Sequence, residues 1–257
     1  HNYYRLNYYF HLVMNPIDVY IPGTQFDQIC SIYNNDVWMR GLLLPLLEAF
    51  EIRMKTNLAH YLALTYGSDC FYNKDLCNKY DIYLKGRRLF AQTYHERLRK
   101  GDNVAMHHRY SFAGRFPIWA VVEFMTINEA SMFYSNLRPA DRQGIADMSV
   151  KVPDKYMSNW WQSLGVLRNI CAHNGPLYKR VFAVTPNIKL WRTELKTINY
   201  PVFTNNNLFA FCIVLKRVTS PTRWQDFIHS ILDHKSKFPS FNTEDYGFPQ
   251  EWENLLC

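Results

Sequence analysis

The sequence predicts an all-α protein with a single helical domain, and three observations carry this prediction. Apolar residues recur at three- and four-residue steps along most of the chain. Strand signals are weak, and 10 glycines and 12 prolines among 257 residues leave room for long helices. With 48% hydrophobic and 16% aromatic residues, the chain can bury a core and is not disordered. We therefore expect one helical domain over residues 1–257.

The first long helix is predicted to begin at the N-cap residues Asn35-Asp36 and to end at Gly67. Pro45 either kinks this helix or marks its true start. One face carries an apolar stripe that is expected to be buried. The stripe consists of Leu43, Leu46, Leu47, Phe50, Met54, Leu58, Tyr61 and Leu62.

Six further helices follow from the same periodicity. Asn174-Gly175-Pro176 is a strong stop signal, because glycine and asparagine favour the left-handed C-terminal position and proline cannot continue a helix. Residues 181–257 carry helical periodicity but no diagnostic motif. The predicted helices are 75–100, closed by Gly101-Asp102; 117–137; a short one after Pro139; 158–173; 208–218; and 221–234.

The charge balance indicates which kind of partner the protein binds. Twenty-nine Lys and Arg against 22 Asp and Glu give a net charge of +7, which favours a polyanionic partner. The longest apolar run, Leu208–Leu215, is far shorter than the ~20 residues of a membrane span. Six scattered cysteines without a C-x-x-C pair, and no signal-peptide pattern, indicate reduced thiols in the cytoplasm. Because the chain opens at His1, we expect the translated protein to begin earlier.

Several common sites are absent from the sequence. There is no phosphate-binding loop of either glycine-rich type, no G-x-S-x-G elbow and no H-E-x-x-H helix. The Cys and His positions lack the ligand spacing of a tetrahedral zinc site. We therefore expect no cofactor and no metal.

The candidate chemistry lies in the segment Arg168-Asn169-Ile170-Cys171-Ala172-His173, at a predicted helix end. An imidazole exchanges a proton near neutral pH, and a guanidinium binds phosphate oxygens in a bidentate fork. This pair suits metal-free RNA cleavage by the ribose 2′-hydroxyl. At about 100° per residue, Arg168 and His173 lie about 140° apart, so two copies facing each other would converge better than one. The spacing therefore predicts a homodimer.

Spacing alone is a weak signal in this chain. Five arginines are followed by a histidine after four to six intervening residues, where random placement gives about two. A surface arginine and a hydrogen-bonded histidine explain most such pairs. The pairs are Arg5/His11, Arg53/His60, Arg88/His95, Arg168/His173 and Arg223/His229.

The surroundings distinguish the Arg168 pair. The string from Trp160 through Arg180, W-W-Q-S-L-G-V-L-R-N-I-C-A-H-N-G-P-L-Y-K-R, resembles the HEPN ribonuclease motif of the Abi family of bacterial abortive-infection proteins, the AbiD/AbiF group. Three earlier stretches resemble the same family in the same order. They are Tyr4-Arg5-Leu6, the helix from Pro45 to Gly67, and residues 116–125.

This resemblance implies a helical HEPN core, usually dimeric, that acts on RNA as a defence toxin. Carried over by position, Arg168 would stabilise the transition-state phosphate, Asn169 would orient it, and His173 would exchange the proton. The RNA-binding candidates are Tyr178 for base stacking, and Lys179, Arg180, Arg53 and Arg88 for phosphates. Arg53 matches a family position, and Arg88 belongs to a basic stretch over residues 85–115.

Three functions remain open on the sequence alone. The first is an endoribonuclease toxin, and the second is a non-catalytic RNA-binding module that holds a structured noncoding RNA. An inhibitory RNA in the catalytic groove would unite the two. The third is a structural helical protein whose basic charge is incidental. Salt-dependent RNA binding separates the third from the others, and product chemistry separates the first two.

Overall fold

A computed structural model describes residues 3–15, 17, 19–201 and 203–257, with Tyr3 described by its backbone alone. About 70% of the chain is helical, and the described residues form no β-strand. The predicted all-α class is confirmed. The α-helices of the described chain are α1 (Tyr3–His11), α2 (Phe26–Tyr66), α3 (Tyr80–Arg99), α4 (Asn103–Ser111), α5 (Ile118–Phe124), α6 (Ile127–Asn136), α7 (Pro139–Ser149), α8 (Asp154–Ala172), α9 (Arg192–Thr197), α10 (Leu208–Val218), α11 (Pro221–Lys237) and α12 (Glu253–Leu256).

The predicted start of the first long helix at Asn35-Asp36 is wrong, because α2 begins nine residues earlier, at Phe26. The Gln25 backbone N–H donates to Gln28 Oε1 at 3.1 Å, which satisfies one of the donors left open at the helix start. Pro45 lies inside the helix. It removes the bond to the carbonyl of Gly41, but both residues are exposed, so water solvates that carbonyl. The predicted end at Gly67 is confirmed by its φ of +85°.

The helix predicted from Pro117 to Leu137 is wrong, since the structure has two helices there. Thr126 begins the second one, α6, with a capping box. Its hydroxyl accepts from the Glu129 N–H, and its own N–H donates to Glu129 Oε2 at 2.6 Å. This exchange satisfies the first donors of α6 and separates it from α5.

The helix predicted to start at Asp75 begins instead at Tyr80. Residues 77–79 are held against the end of α6. The Asn136 amide donates to the Lys79 carbonyl and accepts from the Lys79 N–H, each at 2.9 Å. The Asn78 N–H donates to the Asn136 carbonyl at 2.7 Å. The N–H groups of Asn78 and Lys79 are thus used outside the helix, and the Lys79 carbonyl also accepts the first helical N–H bond of α3, from Tyr83 at 3.1 Å.

The chain divides into two compact units, Ala49–Gly165 and the remainder, His1–Glu48 with Val166–Cys257. The prediction of one domain over residues 1–257 stays a prediction. In the first unit an aromatic core forms around Phe90, which lies 5.3 Å from Phe71 and 5.3 Å from Phe116 between ring centroids. In the second, α10 is buried nearly all round, with Phe211 against Phe182 at 4.5 Å.

None of the described helices combines the length and the apolar character that crossing a membrane requires.

Candidate functional site

The candidate site begins at the C-terminal end of α8. Leu167 and Cys171 are buried there, while Arg168 and Asn169 are half-buried and His173 is exposed. The His173 ring is therefore open to a ligand, whereas Arg168 and Asn169 are open only in part.

The helix ends in a Schellman motif that makes His173 its C-cap residue. The Gly175 N–H donates to the Ile170 carbonyl at 2.8 Å, and the Asn174 N–H donates to the Cys171 carbonyl at 3.2 Å. Asn174 takes the left-handed position, with φ of +58°. The predicted stop is therefore confirmed. Because these are backbone bonds, the His173 imidazole makes no contribution to the turn and projects from it.

Asp36 holds the segment that follows the motif. Its carboxylate, buried on α2, accepts from the Leu177 N–H at 2.9 Å and from the Tyr178 N–H at 3.0 Å. Arg40, one turn further along, donates to the same carboxylate at 2.7 Å. Burial raises the pKa of Asp36, and these donors and the Arg40 charge oppose that rise. Asp36 is therefore a buried anchor of the loop, and not the helix N-cap that the sequence suggests.

Two further groups complete this cluster, which we call the Asp36 network. The Tyr9 hydroxyl donates to Asp36 at 2.5 Å, and burial raises its pKa. Arg40 also donates to the Gly175 carbonyl at 3.3 Å. The network thus fixes the backbone on both sides of Pro176. Sequence reasoning missed Tyr9 and Arg40, although the i,i+4 spacing of Asp36 and Arg40 is visible in the sequence.

Tyr178, predicted as a base-stacking ring, is half-buried within the protein. It packs edge-to-face with Tyr246 at 5.9 Å, and its carbonyl accepts from the Tyr8 hydroxyl at 2.8 Å. Burial, followed by the Asp245 charge, raises its pKa. Part of the ring therefore serves local packing, and its stacking on RNA stays a prediction.

Lys179 and Arg180 both reach local acceptors. Lys179 is exposed, and its Nζ lies 3.4 Å from Asp245 Oδ1. Arg180 donates to the Pro176 carbonyl at 3.0 Å, and its guanidinium lies 5.5 Å from the Phe182 ring centroid. Because the Lys179 side chain is more than half exposed, its ammonium can turn from Asp245, whose side chain is 22% exposed, to a phosphate.

Arg53 and Arg88 belong to the Ala49–Gly165 unit and not to the unit that contains the motif residues. Arg53 is half-buried on α2, and burial lowers the pKa of its guanidinium. Arg88 is exposed on α3. Their part in RNA binding stays a prediction.

Cys171, inside the motif, has no reactive character. It is buried, and burial raises the pKa of its thiol to about 12, so the nucleophilic thiolate is absent at neutral pH. In the part of the chain that the structure describes, no three His, Cys, Asp or Glu side chains cluster as metal ligands. The motif therefore offers an imidazole and a guanidinium as its chemistry.

A family model described as Abi-like protein matches residues 1–179, a range that includes the end of α8 and the loop held by the Asp36 network. No curated protein and no solved structure matches the chain.

Proposed function

The chain belongs to the Abi-like protein family, and from this premise we propose that it is a HEPN-type endoribonuclease that acts as a toxin in abortive infection, a defence against phage. The observation that carries the proposal is the end of α8. There an exposed imidazole and a half-buried guanidinium project from a backbone that the Schellman motif and the Asp36 network hold rigid. Catalytic groups require such preorganised support. The net charge of +7 suits a polyanionic substrate.

The proposed reaction needs no group beyond the chain and the RNA. His173 accepts the proton of the ribose 2′-hydroxyl as its oxygen attacks the adjacent phosphorus. The bond from phosphorus to the 5′-oxygen breaks, and that oxygen receives a proton from an imidazolium. Arg168 neutralises the charge on the phosphorane oxygens, and Asn169 orients the phosphate. The products are a 2′,3′-cyclic phosphate and a 5′-hydroxyl.

Product chemistry and chelation test the proposal together. The purified chain should cleave single-stranded RNA in the presence of a chelator and leave a 2′,3′-cyclic phosphate end. A strand with 2′-deoxy substitution should survive, because it lacks the nucleophile. Cleavage that stops when metal is stripped, or products with a 3′-hydroxyl, would contradict the mechanism.

Alanine variants assign the roles. His173→Ala should lower the cleavage rate by about 10²–10⁴-fold, and Arg168→Ala should abolish detectable cleavage and toxicity. The fold should persist, since the His173 side chain is exposed and the turn depends on backbone bonds. The matched controls are Arg223→Ala and His229→Ala. They are an exposed Arg–His pair on α11 with similar spacing, and both should keep full activity.

The alternative function, RNA binding without cleavage, predicts a different result in the same experiment. If the wild type and all four variants bind one RNA tightly and none cuts any RNA, the chain is a binding module for a structured noncoding RNA.

We further propose that the protein is located in the cytoplasm, where it would encounter such an RNA.

A further inference from the structure

A cavity of about 490 Å³ opens in the Ala49–Gly165 unit, between α4 and the start of α5. This volume falls within the ≈ 300–1,000 Å³ range of small-molecule sites. We call it the α4–α5 cavity. The lining residues that matter for its chemistry are Asp69, His107, Phe112, Arg115 and Trp119.

Two large aromatic side chains line this cavity and remain exposed. Trp119 is 54% exposed and Phe112 is 53% exposed. The His107 ring, also exposed, lies 5.4 Å from Phe112. Grouped exposed rings of this kind mark binding surfaces, because folding alone would bury them.

The charged side chains that line the cavity are one arginine, Arg115, and one carboxylate, Asp69. Residues 103–119 contain Arg109, Arg115 and two histidines, and no acidic residue. Arg115 pairs with Asp69 at 3.0 Å, but both side chains are more than half exposed. Such a pair contributes little, so the guanidinium can exchange the carboxylate for a phosphate.

The loop that carries Arg115 is held in place before any ligand arrives. Its Ala113 and Gly114 take left-handed conformations, with φ of +49° and +76°. The Gly114 N–H donates to the His108 carbonyl at 2.9 Å, and His108 Nδ1 lies 2.9 Å from the Arg115 carbonyl. The Phe116 N–H donates to the Tyr72 hydroxyl at 2.9 Å. Preorganisation of this kind lowers the entropy lost on binding.

We infer that the α4–α5 cavity binds an unpaired base of single-stranded RNA together with a neighbouring phosphate. Trp119 and Phe112 stack on the base, and Arg115 binds the phosphate. Flat rings beside a guanidinium favour a nucleotide over an apolar peptide, because a nucleotide uses both the rings and Arg115, whereas an apolar peptide would use the rings alone. The inference rests on the proposed function and adds to it a contact for the RNA outside the α8 motif.

The test uses the His173→Ala variant, so that bound RNA stays intact, and a short single-stranded RNA that carries 5-iodouridine. Irradiation should crosslink the RNA to the peptide that contains Phe112 and Trp119. Adding Trp119→Ala should weaken binding about 5- to 100-fold, and Trp119→Phe should restore most of the loss. Tyr80→Ala is the matched control, because Tyr80 is an exposed ring of α3 in the same unit.

Arginine variants test the phosphate contact separately. Arg115→Gln should reduce the slope of log affinity against log salt concentration by about 0.7, the value of one phosphate on a single strand. Arg138→Gln, at an exposed arginine of the same unit outside the basic stretch 85–115, should leave the slope nearly unchanged. Equal affinity of the Trp119→Ala and parent proteins, or crosslinks confined to other peptides, overturns the inference.

The outcomes also separate this inference from the proposed function. If the wild type cleaves RNA while Trp119→Ala binds it normally, only the cavity assignment fails. If neither protein binds RNA at any salt concentration, both fail.

Discussion

The carboxylate of Asp36 accepts the backbone N–H of Leu177 at 2.9 Å, although the two residues are 141 positions apart in sequence. This bond ties α2 to the loop that follows the Arg168–His173 segment of α8. Since Asp36 also takes the N–H of Tyr178 and pairs with Arg40, one buried carboxylate sets the path of the chain directly after His173.

Asp36→Ala should therefore destabilise the protein by about 3–5 kcal/mol, the cost of removing one partner of a buried ion pair. The variant leaves the Arg40 charge and two backbone donors buried without their acceptor. Urea denaturation measures the loss. Hydrogen exchange should also show faster exchange at the Leu177 and Tyr178 amides.

Asp233→Ala is the matched control for this prediction. Asp233 pairs with Lys237 at the same i,i+4 spacing and at 2.8 Å, but both side chains are largely exposed. The control should lose less than about 1 kcal/mol. Equal losses in the two variants would mean that Asp36 is no anchor.

Two helical glycines should respond to alanine with opposite signs. A Cβ at Gly144 would lie 2.3 Å from Tyr61 Cε2, whereas one at Gly86 would meet nothing within 4 Å. Gly144→Ala should cost about 1–3 kcal/mol through overpacking. Gly86→Ala should stabilise by about 0.5–1 kcal/mol, because alanine loses less backbone entropy in a helix. Urea midpoints check both, and a shared sign would contradict the packing at Tyr61.

His234 should make stability depend on pH. Its ring stacks on Trp38 at 3.7 Å, and its Nε2 lies 3.0 Å from Asn35 Oδ1. Burial lowers the pKa of His234, so the folded state favours the neutral ring. The stabilisation is full above the unfolded value of about 6.5 and is lost as the pH falls from there through the folded pKa.

The wild type should accordingly be less stable at pH 5 than at pH 7.5, as measured by its urea midpoint. His234→Phe keeps a ring against Trp38 and removes the titrating group, so its decline over this range should be smaller. His229→Phe, at an exposed ring of the same helix, should decline as the wild type does. An identical pH dependence in all three proteins would exclude His234 as the cause.

The sequence predicted the features that depend on local chemistry. The stop at Asn174 and the all-α class follow from residue preferences within a few positions. The break at Thr126 was also readable, since Thr-x-x-Glu is a capping-box signature. The start of α3 was not, because it depends on Asn136, 57 residues from Lys79.

The candidate site also has a part that the sequence could predict and a part that it could not. The Arg168–His173 segment stands out by its residue types and surroundings, and its position at a helix end is local. The support from Asp36 could not be predicted, because a carboxylate in a helix with an arginine four residues later has the same spacing as an exposed pair. Only the fold shows that this pair is buried and that its other partners are Leu177 and Tyr178.

Lys179 and Arg180 should contribute to the salt dependence of RNA binding. If each neutralises one phosphate, Lys179→Glu with Arg180→Glu should weaken binding and reduce the slope of log affinity against log salt by about 1.4. Lys235→Glu with Lys237→Glu is the control. Those two lysines are exposed and also lie near carboxylates, at 3.8 Å and 2.8 Å. An unchanged slope in the first double variant would remove Lys179 and Arg180 from the RNA surface.

The last prediction concerns assembly. Arg168 and His173 lie about 140° apart around the α8 axis, so the two groups of one chain do not converge on one phosphate. We expect a two-fold dimer in which both groups of both chains face one cleft. Arg168→Ala and His173→Ala, each strongly impaired alone, should regain part of the cleavage when co-expressed, because a mixed dimer keeps one arginine and one histidine in that cleft. Co-expression of Arg168→Ala with a chain that carries both Arg168→Ala and His173→Ala should stay inactive, because neither chain then supplies Arg168. Light scattering on the active wild type should give the mass of two chains. A strict monomer that cleaves RNA, or an inactive mixture shown to contain mixed dimers, would contradict the shared cleft.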